Sequence, residues 1–105
     1  MSQNGDGLKL LISYNIDIEN AREYYEFALG QYIPTMQSLG LELSEAWHTA
    51  YGDYPNRLIG FVARDTSTMQ EVIRGETWEE MNDKLLEYVT DLDYKIIPYS
   101  LGFQF

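Results

Sequence analysis

The stretch LELSEAWHTAYGDYPNRLIGFVAR, Leu41 to Arg64, decides how this chain folds. Its centre, Gly52-Asp53-Tyr54-Pro55-Asn56, is dense in turn formers. Glycine reaches backbone angles that other residues avoid, proline presets φ, and Asp and Asn bond to their own backbone. Apolar, aromatic and β-branched residues flank it on both sides, so the stretch reads as a hairpin with strands Leu41–Tyr51 and Arg57–Arg64. If Gly52 to Asn56 is the whole loop, Tyr51 lies opposite Arg57, Thr49 opposite Ile59, His48 opposite Gly60 and Trp47 opposite Phe61. Side chains alternate between faces along a strand. One face is then expected to carry Leu43, Trp47, Thr49, Tyr51, Ile59 and Phe61, and the other Ala46, His48, Ala50, Leu58, Gly60 and Val62. A slip of one residue in the loop would reverse this grouping.

Before the hairpin, Leu8–Ile16 is apolar and β-prone and reads as a strand buried on both faces. Asp17 or Asn20 can cap the helix that follows, with Glu19 and Glu23 near the positive end of its dipole. Ala21, Tyr25, Ala28, Tyr32, Met36 and Leu39 recur at helical spacing and predict one apolar face from about Glu19 to Leu39. Pro34 interrupts that pattern, because its ring clashes with the carbonyl four residues earlier, that of Gly30. We expect the helix to bend there without ending, and to close at Gly40. After the hairpin, Ser67-Thr68-Met69-Gln70 and Thr77-Trp78-Glu79-Glu80 match capping boxes. They predict a short helix from Thr68 to Gly75 and a second one reaching Val89, with Trp78, Met81, Leu85 and Tyr88 on one face. Leu92–Phe105 is extended, and Pro98, which cannot donate to a ladder, places part of it at a sheet edge. The order is β-α-β-β-α-β: an α+β domain over residues 8–105 behind a frayed tail, Met1–Gly7.

With 105 residues, the chain makes one domain with a modest core, a size that gains from pairing. The formal net charge of -10 disfavours nucleic acid and anionic membrane surfaces as partners. The chain contains no cysteine, so disulfides, thiol nucleophiles and thiolate metal sites are ruled out. No apolar run approaches the roughly 20 residues of a membrane span. The opening MSQNGDG is unlike a signal peptide. The expected location is cytoplasmic.

The order of elements, together with YIPTMQSLGL (Tyr32–Leu41), EAWHTAYGDYPN (Glu45–Asn56) and ETWEEMNDKLLEYV (Glu76–Val89), resembles the ferredoxin-like dimeric α+β barrel superfamily, and within it the NIPSNAP-type and stress-responsive barrel proteins. The resemblance covers nearly the whole chain from Leu8. It implies an antiparallel sheet and a two-fold pair. It also implies a superfamily that holds cofactor-free monooxygenases, haem-degrading and haem-binding enzymes, small-ring isomerases and members without known activity. Fold alone selects none of these.

Among the residues, His48 is the candidate catalytic group: an imidazole that titrates near neutrality and sits among small neighbours, or else a structural histidine. Tyr14, Tyr25, Tyr32, Trp47 and Tyr51 are candidate ligand-binding residues, with Tyr24 beside them. Aromatic rings with polar tips suit a small apolar or aromatic ligand, and equally suit a core or an interface. Glu76, Glu80, Asp83 and Glu87 share a helix face, which reads as a solvated surface before it reads as a cation site. No nucleotide, metal or hydrolase motif appears, so neither cofactor nor metal is expected. The expected function is a small-molecule-binding or accessory protein. The alternative is a small cofactor-free enzyme, monooxygenase- or isomerase-like, using His48 as acid/base. A homodimer is expected because strands such as Leu10-Leu11-Ile12 and Leu58-Ile59 are apolar on both faces, while right-handed crossovers cover only one.

Overall fold

The computed structural model describes residues 6–48 and 56–100. Strand β1 (Asp6–Ile16) leads through a 3₁₀ turn, Ile18–Asn20, into α1 (Ala21–Phe27). A π turn, Ala28–Tyr32, joins α1 to α2 (Ile33–Ser38). The hairpin strands are β2 (Glu42–His48) and β3 (Arg57–Ala63), followed by α3 (Thr66–Arg74), α4 (Glu76–Leu85) and β4 (Val89–Ser100). The four strands form one antiparallel sheet in the order β2-β3-β1-β4. This is the ferredoxin-like order, with β2 and β4 at the edges. Pro98 accordingly lies on edge strand β4, opposite Leu8.

The first helical path runs unbroken past Pro34, as expected, and its adjustment has a definite form. The Ile33 N–H donates to the Ala28 carbonyl, five residues back. That wider turn accommodates the Pro34 ring, which has no N–H of its own to donate. Gly30 is exposed, and an added Cβ there would meet no atom within 4 Å. At the far end Gly40 has φ +104, its N–H donates to the Gln37 carbonyl, and the Leu41 N–H donates to the Met36 carbonyl. These are the paired bonds of a Schellman cap, and Leu41 and Met36 supply its apolar contact.

Several boundaries move. β1 begins at Asp6, so Gly7, expected in the tail, belongs to the sheet; a Cβ there would stand 2.3 Å from the Ala63 carbonyl oxygen. Residues 1–5, and the expected contacts of Gly102–Phe105, lie outside the described residues. The N-cap of α3 is Asp65, whose carboxylate accepts the Thr68 N–H at 2.8 Å, two residues before the expected box. α4 starts at Glu76 without a side-chain cap and stops at Leu85, so Val89 already belongs to β4.

The hairpin register also requires correction. His48 pairs with Arg57, Trp47 with Leu58, Ala46 with Ile59 and Glu45 with Gly60, and a bulge at Ser44 then sets Leu43 opposite Phe61. The register is displaced from the expected one by three residues, an odd number, so Trp47 joins Leu58 and Gly60 while Ala46 and His48 join Ile59, and the bulge keeps Leu43 with Phe61. Ile59 and Phe61 do not share a face with Trp47. They lie under the helices, fully buried with Leu10, Ile12 and Tyr14. Trp47, 60% exposed, is on the open face with Leu11, Leu58, Val62 and Ile97. That face is mixed. The Lys9 ammonium pairs with the Glu45 carboxylate across it and lies over the Tyr99 ring, and Gly60 leaves room for the Glu45 side chain.

Candidate functional site

β1 and β3 place Tyr14 opposite Arg57 on the helix-covered face, at the end of the sheet where the hairpin turns. This pairing is fixed by two side-chain amides. The Asn56 N–H donates to Asn15 Oδ1 and the Ile16 N–H donates to Asn56 Oδ1, each at 2.9 Å. Asn15 Nδ2 in turn donates to Asp91 at 2.9 Å, and Asp91 sits at φ 57 where β4 bulges. Arg57, the next residue after Asn56, is therefore held at a defined register.

Helix α1 lays Tyr24 and Tyr25 over that end. The Tyr14 and Tyr24 hydroxyls lie 2.5 Å apart, with their rings edge to face. Tyr24 packs edge to face on Tyr25, whose ring carries the Arg57 guanidinium 5.8 Å from its centre. The guanidinium also lies beside the Tyr24 hydroxyl. Tyr32, from the π turn, donates to Asn82 Oδ1 on α4 at 2.7 Å. Tyr14, Tyr24 and Tyr32 are fully buried, while Tyr25 and Arg57 are half-buried and form the outer edge of the cluster.

Burial pushes the Tyr14 and Tyr32 hydroxyls far above the usual phenol range, since a phenolate there would be desolvated. Burial also raises Tyr24, against the lowering effect of its bond to Tyr14 and of Arg57. Burial acts to lower Arg57 and the surrounding tyrosines act to raise it, with the net direction upward; as a guanidinium it is a cation in either case. Among the described residues the two ion pairs are Lys9–Glu45 and Arg22–Glu26, and no carboxylate pairs with Arg57. Its Nε is buried and has no hydrogen-bond partner there.

The expected ligand-binding residues therefore divide. Tyr14 and Tyr25 come together through Tyr24, and Tyr32 closes the cluster from the α4 side. Trp47 is on the opposite face of the sheet, donating its indole N–H to Glu45 at 2.8 Å. Tyr51 lies outside the described residues. His48 is exposed at the end of edge strand β2, across the ladder from Arg57 and not from Gly60, so it leaves the patch of small residues expected around it. Among the described residues no side chain hydrogen-bonds to it. The carboxylates Glu76, Glu79, Glu80, Asp83 and Glu87 are all exposed. A surface groove of about 350 Å³ lies beside Trp78 and Tyr94, and another of about 150 Å³ on the open face beside Leu11 and Leu58. Neither touches the tyrosine cluster.

Arg57 is the residue that sequence reasoning missed as a site member. A signal was present. Positions 57, 59, 61 and 63 alternate in phase, so a strand that buries Ile59 and Phe61 also aims Arg57 inward.

No protein-family model matches the chain, and no curated protein matches it. Solved structures do. A NIPSNAP-like domain protein from Burkholderia xenovorans superposes with a TM-score of 0.64 at 16% identity, over 97% of this chain and 92% of that one. An ethyl tert-butyl ether d (ethd) family protein from Bacillus halodurans gives 0.66 at 13% identity, over 87% and 96%. A protein from Nitrosomonas europaea, provisionally described as an antibiotic biosynthesis monooxygenase, gives 0.62 at 10% identity, over 95% and 93%. At these identities the likeness is one of fold. The chain has the ferredoxin-like α+β fold of NIPSNAP-type and antibiotic biosynthesis monooxygenase-like proteins.

Proposed function

We propose that this protein is a homodimeric small-molecule-binding protein whose ligand, a small apolar or aromatic molecule, docks against Tyr25 and Arg57 at the hairpin end of the helix-covered face. The observation that carries this reading is the tyrosine cluster. Tyr14 and Tyr24 satisfy one another's hydroxyls inside the core, so the half-buried Tyr25 ring and the guanidinium above it form a rigid amphipathic edge. Pre-organised edges of this kind bind planar ligands with little ordering cost. His48, across the ladder from Arg57, stands at the rim.

The paired state is supported by the open face, where no layer of the described residues covers the exposed Trp47 and the half-buried Leu58, Val62 and Ile97. A two-fold pair is the simplest closed arrangement that buries such a face. The groove beside Leu11 and Leu58 would then lie between the copies.

Two measurements test the proposal. Light scattering at micromolar concentration is expected to give twice the mass of one chain, and a single-chain mass contradicts the pairing. In an NMR titration with small aromatic compounds, the Tyr25 ring and Arg57 side-chain resonances are expected to move together. Shifts confined to Trp47 and the open face would refute the site.

A further inference from the structure

We infer that the group recognised by Arg57 is a planar oxyanion, so that the ligand of this site is a small carboxylic acid with an apolar or aromatic body. The inference rests on the site proposed above and specifies its chemistry.

Three observations lead to it. First, Arg57 is a half-buried permanent cation, and among the described residues no acid pairs with it. A cation taken partly out of water costs free energy that a counter-ion ordinarily offsets. The scarcity is notable because the chain carries 17 acidic residues against 7 lysines and arginines. Second, the buried Nε has no hydrogen-bond partner there. Buried polar groups are nearly always paired in folded proteins, so this one leaves the guanidinium short of an acceptor and its charge less compensated than usual. Third, the groups beside the guanidinium among the described residues are Tyr14 and Tyr24, whose hydroxyls burial keeps protonated, and the Tyr25 ring over which it lies; none of them brings a counter-charge.

The geometry selects the kind of anion. The two Nη groups of a guanidinium each hold one N–H along their shared edge, and these point the same way. A carboxylate meets that edge with both oxygens, and each bond is charge-assisted. The guanidinium lies over the Tyr25 ring, so a ligand joined to its carboxylate through a flat ring continues an apolar surface already present. Lysine could supply the charge but not the fork.

The test uses benzoate and its uncharged analogue benzyl alcohol on the full chain, followed by NMR of the Arg57 Nε–Hε signal and the Tyr25 ring. Benzoate is expected to bind at least about tenfold more tightly than benzyl alcohol, the size of one charge-assisted hydrogen bond. Arg57→Gln is expected to abolish that preference, and Arg57→Lys to lose most of it while retaining the charge. Should Arg57→Gln fail to fold, the wild-type Nε–Hε shift and Arg57→Lys still decide the matter. Equal affinity for the two probes at Tyr25 overturns the anion inference and leaves the binding site standing. Binding of neither probe overturns both. A benzoate preference that survives Arg57→Gln would place the anion elsewhere.

Discussion

Replacing the hydroxyls of Tyr14 and Tyr24 singly and together should give strongly non-additive losses of stability. The two oxygens lie 2.5 Å apart in a fully buried environment. Tyr24→Phe removes the partner of the Tyr14 hydroxyl and a neighbour of Arg57, leaving a buried donor that water does not reach. Such an orphan costs about 1–3 kcal/mol. Tyr14→Phe leaves Tyr24 still beside the Arg57 guanidinium, so its cost is expected near the lower end, about 1 kcal/mol. In the double variant both members of the pair are gone and the ring volumes remain. Its loss should be no larger than that of Tyr24→Phe alone, which makes the coupling about 1–2 kcal/mol. For a domain of this size each kcal/mol lowers Tm by about 4–8 °C. The four proteins would be compared by thermal and urea unfolding at one fixed protein concentration, since pairing makes apparent stability concentration-dependent. Losses that simply add would refute the idea that the two hydroxyls satisfy each other.

Alkaline pH probes the same cluster. The folded-state hydroxyls of Tyr14, Tyr24 and Tyr32 are held above the ordinary value of 10.0, chiefly by burial. Their contribution to stability is therefore fully present below pH 10 and is lost as pH rises past it, so phenolate absorbance from these three should appear only with unfolding; gradual ionisation in the folded state would contradict their burial. Gly7→Ala should destabilise strongly, because its Cβ would strike the Ala63 carbonyl oxygen, whereas Gly30→Ala should be neutral or raise stability by up to about 1 kcal/mol; unfolding curves of both check this, and similar losses would show that the Pro34 turn depends on Gly30. His48→Ala, at an exposed position, should change stability by less than about 0.5 kcal/mol while weakening binding at the Arg57 rim; an unfolded variant would show that the imidazole is structural.

The fold was legible because the strong signals were local. The apolar, β-prone run Leu8–Ile16 and the glycine at position 40 each select a conformation by themselves. The π turn was half legible: Pro34 marked the position, but only the path of the helix over the sheet settles whether the chain widens or breaks there. The register of β2 on β3 was not legible. It is displaced by three residues and interrupted by the bulge at Ser44, neither of which leaves a local trace. That error carried through to the site. It put His48 opposite Gly60 and drew Trp47 to the wrong face, while Arg57, in phase with Ile59 and Phe61, was passed over as a strand-end charge. The buried tyrosines were recognised by type, but which hydroxyl meets which could not be inferred, because helix α1 crosses the sheet at an angle that spacing does not encode.

The central claim is that Arg57, a half-buried cation without an acidic partner among the described residues, meets the ligand. The most direct test is the Arg57 Nε–Hε resonance of the wild-type protein, assigned by its absence in Arg57→Lys, during titration with benzoate. A saturable downfield shift of that proton is expected, with the Tyr25 ring signals moving at the same midpoint. A resonance that stays in place while benzoate is raised to saturation elsewhere, or that exchanges with water as fast as those of the exposed arginines, would contradict it.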